Sequence, residues 1–328
     1  MHKRTLGTTG FEVSEISLGT WQVGGRWGEP FNDATAEALL HAAIDAGINF
    51  IDTADVYSAG ASEAAVGRVV RARSERVFVA TKCGRQIQPH VNAGYTVAAL
   101  RGFVEASLKN TGLETLDLVQ LHCPPTEVYY RPEIFELFDR LRDQGKIRHL
   151  GVSVERIEEA LKAIEFPNVA TVQIVFNMFR QRPTGLFFEQ AVRRRIGVIA
   201  RVPLASGLLA GQYRADTIFG AQDHRHFNRD GAAFDRGETF SGVDFEQGLV
   251  AVAELKALFS GNVPLAQWAL RWVLMFDQVS CVIPGASRPE QLASNLKAGA
   301  LRALSDAEMA GVRTIYERHI KAAVHPRW

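Results

Sequence analysis

Two periods alternate along the chain. Short apolar runs sit at 16–18, 49–52, 77–82, 117–121, 149–152, 171–175, 198–201 and 279–283. Between them, apolar residues recur every three or four positions, the spacing of one helix face. With Asp33 as predicted cap, Ala36, Leu39, Leu40, Ala43 and Ile44 form such a face, which Gly47 stops. Ser62 is the predicted N-cap of a helix over 63–72 that turns Ala65, Val66, Val69 and Val70 inward. Thr96 caps a third helix, through Leu100, Phe103, Val104 and Leu108 to Gly112, and Pro132 and Gly145 bracket a fourth. Ile157, Ala160, Leu161 and Ile164 share the face of another, and further helices are predicted over 184–195 and 264–276. Ahead of all this, Gly7, Thr8, Thr9 and Gly10 carry turn chemistry and predict a short hairpin.

Strands that are continuous apolar runs are buried on both faces, as in parallel sheets. Eight of them alternating with helices predict an α/β protein, a (β/α)8 TIM barrel with an N-terminal β-hairpin and extra helices. An open doubly wound sheet is the alternative, but no G-x-G-x-x-G follows an early strand. The reading is one domain over 1–328. The polar stretch 213–245 is expected to be a lid loop or else a disordered excursion, and 305–328 a further helix and tail.

Composition narrows the setting. A net charge of +1 argues against nucleic acid or an anionic membrane as partner. Cys83, Cys123 and Cys281 have no metal-ligand spacing and cannot form a disulfide framework, so they read as reduced thiols. The first residues contain no apolar segment of the kind that targets secretion, and nowhere do eighteen apolar residues run together. A cytoplasmic location is the expectation. Oligomeric state is left open.

Three strands end in ionisable residues, Asp52, Lys82 and His122, and Tyr57 follows Asp52 in the next loop. In a barrel these ends gather on one rim, so the four can meet. An ammonium beside a phenol favours the phenolate, and Lys82 is expected to pull the Tyr57 pKa down while Asp52 keeps Lys82 charged. Tyr57 and His122 can then both hydrogen-bond an oxygen that becomes negative as hydride reaches a carbonyl carbon. Taken singly, each residue has an ordinary structural reading as ion pair or satisfied core group. A Schiff-base lyase using Lys82 is a rival chemistry. His224 and His226 form no recognisable metal-ligand pattern, so no metal is expected. Arg193, Arg194 and Arg195 read as a solvated helix end.

The runs INFIDTADVYSAGASEAAVG, VFVATK, LDLVQLHCPP, GKIRHLGVS, RVPLASGLLAGQY and VIPGASRPEQLASNL closely resemble the aldo-keto reductases, in order and over nearly the whole chain. The resemblance implies that Asp52, Tyr57, Lys82 and His122 are a catalytic tetrad with Tyr57 as proton donor. It implies NADP(H) extended over the rim, a small carbonyl or alcohol substrate (aldehyde, ketone, sugar or polyol), and a hairpin closing the barrel's bottom. By the same resemblance Gly285, Ser287, Arg288, Gln291 and Asn295 surround the adenosine 2′-phosphate, with Ser287 as a helix cap. Leu204, Ser206, Gly207, Leu209 and Gly211 belong to the loop around the pyrophosphate, and Ser153 and Gln173 hold the nicotinamide carboxamide. Gly19 and Thr20, which follow the first strand, are implied to contact the cofactor, and Trp21 to wall the substrate. The chain departs from the family's pattern at Val154, where Asn is common, at Cys123, where Trp is common, and at Arg201, where Tyr often stacks on the nicotinamide. Arg201 is expected to lie on a ring, reach a phosphate or pair with an acid of the 213–245 stretch. A non-catalytic cofactor-binding subunit on the same fold is the alternative function.

Overall fold

The computed structural model describes residues 1–25 and 29–328. An antiparallel hairpin, β1 (Lys3–Thr5) and β2 (Glu12–Ser14), precedes β3 (Leu18–Gly19). Then follow α1 (Asp33–Asp45), β4 (Phe50–Asp52), α2 (Ala61–Arg71), β5 (Phe78–Cys83), α3 (Val97–Thr111), β6 (Leu116–His122), α4 (Pro132–Asp143) and β7 (Ile147–Ser153). The chain continues through α5 (Ile157–Ala163), β8 (Val169–Val175), α6 (Leu186–Arg194) and β9 (Gly197–Arg201). A long connection holding the short α7 (His224–Phe227) leads to α8 (Phe245–Leu258), α9 (Leu265–Leu274), β10 (Val279–Val282), α10 (Pro289–Lys297), α11 (Asp306–His319) and α12 (Lys321–Val324). No helix among the described residues is long and apolar enough to cross a membrane.

Strands β3 to β10 are parallel and hydrogen-bonded in chain order. Bridges from Ile16 to Val282 and from Gly19 to Gly285 join the last strand to the first, closing the (β/α)8 barrel. The expected architecture is therefore the observed one. Three predicted caps are not. Asn32, not Asp33, caps α1 by accepting from the Thr35 amide. Helix α2 starts after Gly60, and the Ser62 hydroxyl instead joins those of Thr20 and Thr53 in a buried network. No side chain caps α10, because Ser287 donates to the Gln291 side chain. Helix α8, unread in the sequence, packs on α11.

Because side chains alternate across a strand, residues two apart point to the same side of the barrel wall. One inward layer is apolar: Phe50, Ala80, Leu118, Ile199 and Cys281 pack with Leu6, Phe11 and Val13 of the hairpin. Two residues further along four of these strands stand Asp52, Lys82, Gln120 and Arg201. The barrel is thus plugged by hydrocarbon at the hairpin end and lined with polar groups at the strands' C-terminal rim, where functional sites of such barrels lie.

The hairpin plug is seated by glycine. At Gly7 φ is 55°, and a Cβ there would lie 2.2 Å from the Gly197 amide nitrogen and 2.7 Å from the Ala170 carbonyl oxygen. Gly7→Ala is expected to lower stability by about 1–3 kcal/mol, the usual cost of overpacking against backbone. A urea midpoint matching wild type would show that the hairpin is not held against β9.

Just past β4, Asp55 is buried with neither carboxylate oxygen in hydrogen-bond geometry with a partner. Burial, and then the charge of Glu63, push its pKa up to about 7. The folded state therefore holds a proton that the unfolded chain has released, so stability falls as pH rises from about 4 towards about 7. Asp55→Asn is expected to gain roughly 2–4 kcal/mol at pH 8 and nothing at pH 4. Equal denaturation midpoints for the two proteins at pH 8 would refute this linkage.

Candidate active site

β4 delivers Asp52 to the rim, and the chain then turns through Tyr57. Positive φ at Ser58, Ala59 and Gly60 carries it into α2. β5 delivers Lys82, which the sheet register sets beside Gln120 of β6. All three ammonium protons of Lys82 are used: 2.5 Å to Asp52 Oδ1, 2.9 Å to the Thr53 carbonyl and 3.2 Å to the Tyr57 hydroxyl. The other oxygen of Asp52 accepts from Gln120 Nε2 at 3.0 Å and Gln173 Nε2 at 2.8 Å. Burial opposes the Lys82 charge, but Asp52 and then Tyr57 outweigh it and its pKa stands above the ordinary value.

Tyr57 corrects the expectation about its acidity. Burial raises its pKa by more than Lys82 lowers it, so the phenol stands above its usual value. His122 lies at the end of β6, its ring edge-on to Tyr57 with centroids 6.0 Å apart. Burial, then the cations Arg85, Lys82 and Arg201, hold its pKa well down, and the imidazole is neutral. Its Nε2 is 3.3 Å from Arg85 Nη1, while Nδ1 is buried with no hydrogen-bond partner among the described residues. Leaving such a group unsatisfied costs about 1–3 kcal/mol.

Asp52, Tyr57 and His122 open onto a cleft of about 810 Å³, and Lys82 lies beneath them. Near the tetrad its walls are Gly19, Thr20, Gln173 and Trp21, whose ring stacks on Tyr57 with 6.1 Å between centroids. The cleft runs past Leu204, Ser206 and Gly207 to Gly285, Ser287 and Arg288 ahead of α10 and to Gln291 and Asn295 on it. Other residues carried over by resemblance are placed differently. The Ser153 hydroxyl faces Cys123 Sγ at 3.4 Å and is set back from the cleft. Gln173 reaches the wall, but its amide nitrogen is committed to Asp52 and to Gln120 Oε1. Leu209 is buried in the apolar core, and Gly211 faces the Lys256 side chain.

A second charged cluster surrounds Arg201, the one member that the sequence reading named. Arg201 pairs with Glu155 Oε2 at 2.9 Å and Glu238 Oε2 at 3.4 Å, and donates to the Val154 carbonyl at 3.0 Å. The expected pairing with an acid of 213–245 is seen, and Arg201 also lines the cleft. Arg85 Nη2 holds the other Glu238 oxygen at 2.6 Å. Burial pushes Glu155 up to about 8, whereas Arg85 and Arg201 overcome burial and hold Glu238 down at about 2. Cys123, Glu155 and Glu238 cluster as metal ligands can, but the Arg201 guanidinium contacts all three. Arg85 and Glu155 announce themselves in sequence only as charges just past strand ends. Glu238 gives no local signal.

The 213–245 stretch is folded over this side of the cleft. His224, pushed down to about 4 by burial, lies against Trp21 with 5.2 Å between ring centroids, and Phe234 packs on the same indole at 5.9 Å. The turn bearing Glu238 is seated on Trp328. That indole donates to Asp235 Oδ1 at 2.9 Å and lies against Gly237 and Gly242, where any Cβ would collide with it.

Residues 15–317 match the Aldo/keto reductase family. Aldo-keto reductase YhdN of Bacillus subtilis (strain 168) is 30% identical over 337 aligned positions, covering 100% of this chain and 97% of its own. The NADH-specific methylglyoxal reductase of Escherichia coli (strain K12) is 27% identical, covering 97% of this chain and 99% of its own. Among solved structures, the glycerol dehydrogenase AKR11B4 from Gluconobacter oxydans matches with a TM-score of 0.76 at 30% identity, covering 97% of this chain and 96% of that one. The match takes in every barrel strand from β3 to β10 and the helix that ends the cleft, and on that extent the chain belongs to the aldo/keto reductase family.

Proposed function

We propose that the protein is an NADP(H)-dependent oxidoreductase that moves hydride between the nicotinamide and a small carbonyl or alcohol substrate, with Tyr57 as general acid and base. The observation that carries this reading is the Lys82 ammonium, fixed between Asp52 and the Tyr57 hydroxyl beneath a cleft of about 810 Å³ that runs from Tyr57 to Arg288. The residues fit that cofactor. At the far end of the cleft, Arg288 is exposed, its side chain makes no hydrogen bond or ion pair among the described residues, and it stands at the uncapped start of α10. A planar cation beside a helix N-terminus suits a phosphate monoester. When bound, the nicotinamide supplies or accepts the hydride.

The chain's own residues manage the proton. The raised pKa keeps Tyr57 protonated at neutral pH, ready to donate to a substrate oxygen as negative charge builds there. The phenolate left behind is stabilised by the ammonium at 3.2 Å, which Asp52 keeps charged. In the alcohol-oxidising direction the same phenolate takes the proton back. Trp21, His224 and Phe234 give the reacting end an aromatic wall.

Purified protein mixed with NADPH and a panel of small aldehydes, ketones and sugars is expected to consume the cofactor. Tyr57→Phe is expected to lower kcat by about 10²–10⁴-fold with NADPH binding retained by fluorescence titration. A variant as fast as wild type would remove Tyr57 from the proton step. Tight NADPH binding with no carbonyl turned over would favour a non-catalytic cofactor-binding subunit instead.

Arg288→Ala tests the cofactor assignment separately. It is expected to weaken NADPH roughly tenfold while barely changing NADH, since only the former carries the phosphate. Equal losses for both would move the phosphate site elsewhere, a comparison with point because one relative is named as NADH-specific.

A further inference from the structure

Arg85 and His122 make a contact whose polarity chemistry decides. A guanidinium has donors only and does not lose its proton in a protein. Where Arg85 Nη1 approaches His122 Nε2 at 3.3 Å, the imidazole nitrogen must therefore be the acceptor. The ring is neutral and has one proton, so that proton sits on Nδ1, the nitrogen buried without a partner. This is the opposite of what a carbonyl oxygen needs from His122 if the imidazole is to donate to it from Nε2.

Arg85 is itself held. Glu238 binds its other terminal nitrogen at 2.6 Å, and Phe234 lies against the guanidinium with 5.5 Å from Cζ to the ring centre. Both belong to the stretch that covers the cleft, and the turn bearing Glu238 is fixed by Asp235 and Trp328. The position of that stretch and the state of His122 are thus linked through one arginine.

We propose that Arg85 is a positioning residue that sets the tautomer of His122: by donating to Nε2 it keeps the ring proton on Nδ1, and Glu238 holds it there until the covering stretch shifts. His122 gains an N–H towards a substrate oxygen only when Arg85 withdraws and the proton passes, through solvent, from Nδ1 to Nε2. The catalytic consequence rests on the oxidoreductase reading above. The tautomer does not, because it can be read without turnover.

The test is two-bond ¹H–¹⁵N correlation spectroscopy on full-length protein carrying ¹⁵N-labelled histidine, with the His122 signals identified by their loss in His122→Gln. Wild type is expected to show an unprotonated, acceptor-type Nε2 and a protonated Nδ1. Arg85→Met is expected to raise the ratio of the Nε2–H to the Nδ1–H form roughly tenfold or more, the effect of losing a hydrogen bond from a charged donor. Arg85→Lys, again donor-only, is expected to restore the wild-type pattern, and Glu238→Gln to move the ratio the same way as Arg85→Met. A protonated Nε2 in wild type overturns the proposal outright, whether or not any variant folds. So does an unchanged pattern in folded Arg85→Met. If the wild-type tautomer is as stated but no carbonyl is ever reduced, the enzymatic reading fails and this one stands.

Discussion

The site depends on keeping an ammonium charged inside a barrel. Lys82 is 1% exposed and Asp52 2%, and desolvating two such groups costs several kcal/mol each unless geometry returns it. The structure returns it by saturation: three acceptors surround Nζ, and two amides complete Asp52. β4, β5, β6 and β8 each contribute a member, so the strand register and the charge are one arrangement. Removing either ion while leaving the other would strand a buried charge, which is costlier than losing both. The phenol of Tyr57 is the one partner in this set that also reaches the cleft as a donor.

Much of this was legible because it violates local expectation. An Asp, a Lys and a His closing otherwise apolar runs stand out, and alternation along a parallel strand tells which neighbours share the barrel interior. The eight-strand repeat was legible for the same reason. Caps were less so: Asn32 and Asp33 are adjacent candidates, and only three-dimensional contacts reveal that Ser62 spends its hydroxyl on Thr20 and Thr53. The direction of the Tyr57 shift was misread because sequence shows a neighbouring cation but not the depth of burial that outweighs it. Gln120 and Gln173 read as strand residues with no hint that they converge on one carboxylate.

Arg85 and Glu238 lie 153 residues apart, and nothing local in either segment calls for the other. Their meeting exists only once β5 and the connection after β9 are brought to the same rim. Function in such barrels is carried by the loops, and loop-to-loop pairs are the contacts that periodicity cannot reach. Asp52, Lys82 and His122 end strands and could be inferred, with Tyr57 in the loop that follows β4; Arg85, Glu155 and Glu238 are built on connections and could not.

Two of the three departures from the family's pattern, at 123 and 201, meet in space, and the backbone at 154 lies beside them. Arg201 leaves β9 where a stacking ring is common, and its guanidinium lies 3.6 Å from Cys123 Sγ, a small side chain where Trp is common. A bulky ring at 123 would have no room while that guanidinium stays. Val154 is buried and offers Arg201 its backbone carbonyl, and the next residue, Glu155, supplies the paired carboxylate. What look in sequence like separate departures at 123 and 201 meet in space in one charge network. That network, through Glu238, ties the covering stretch to the rim at Arg201 and at Arg85, where the partner on the far side is His122.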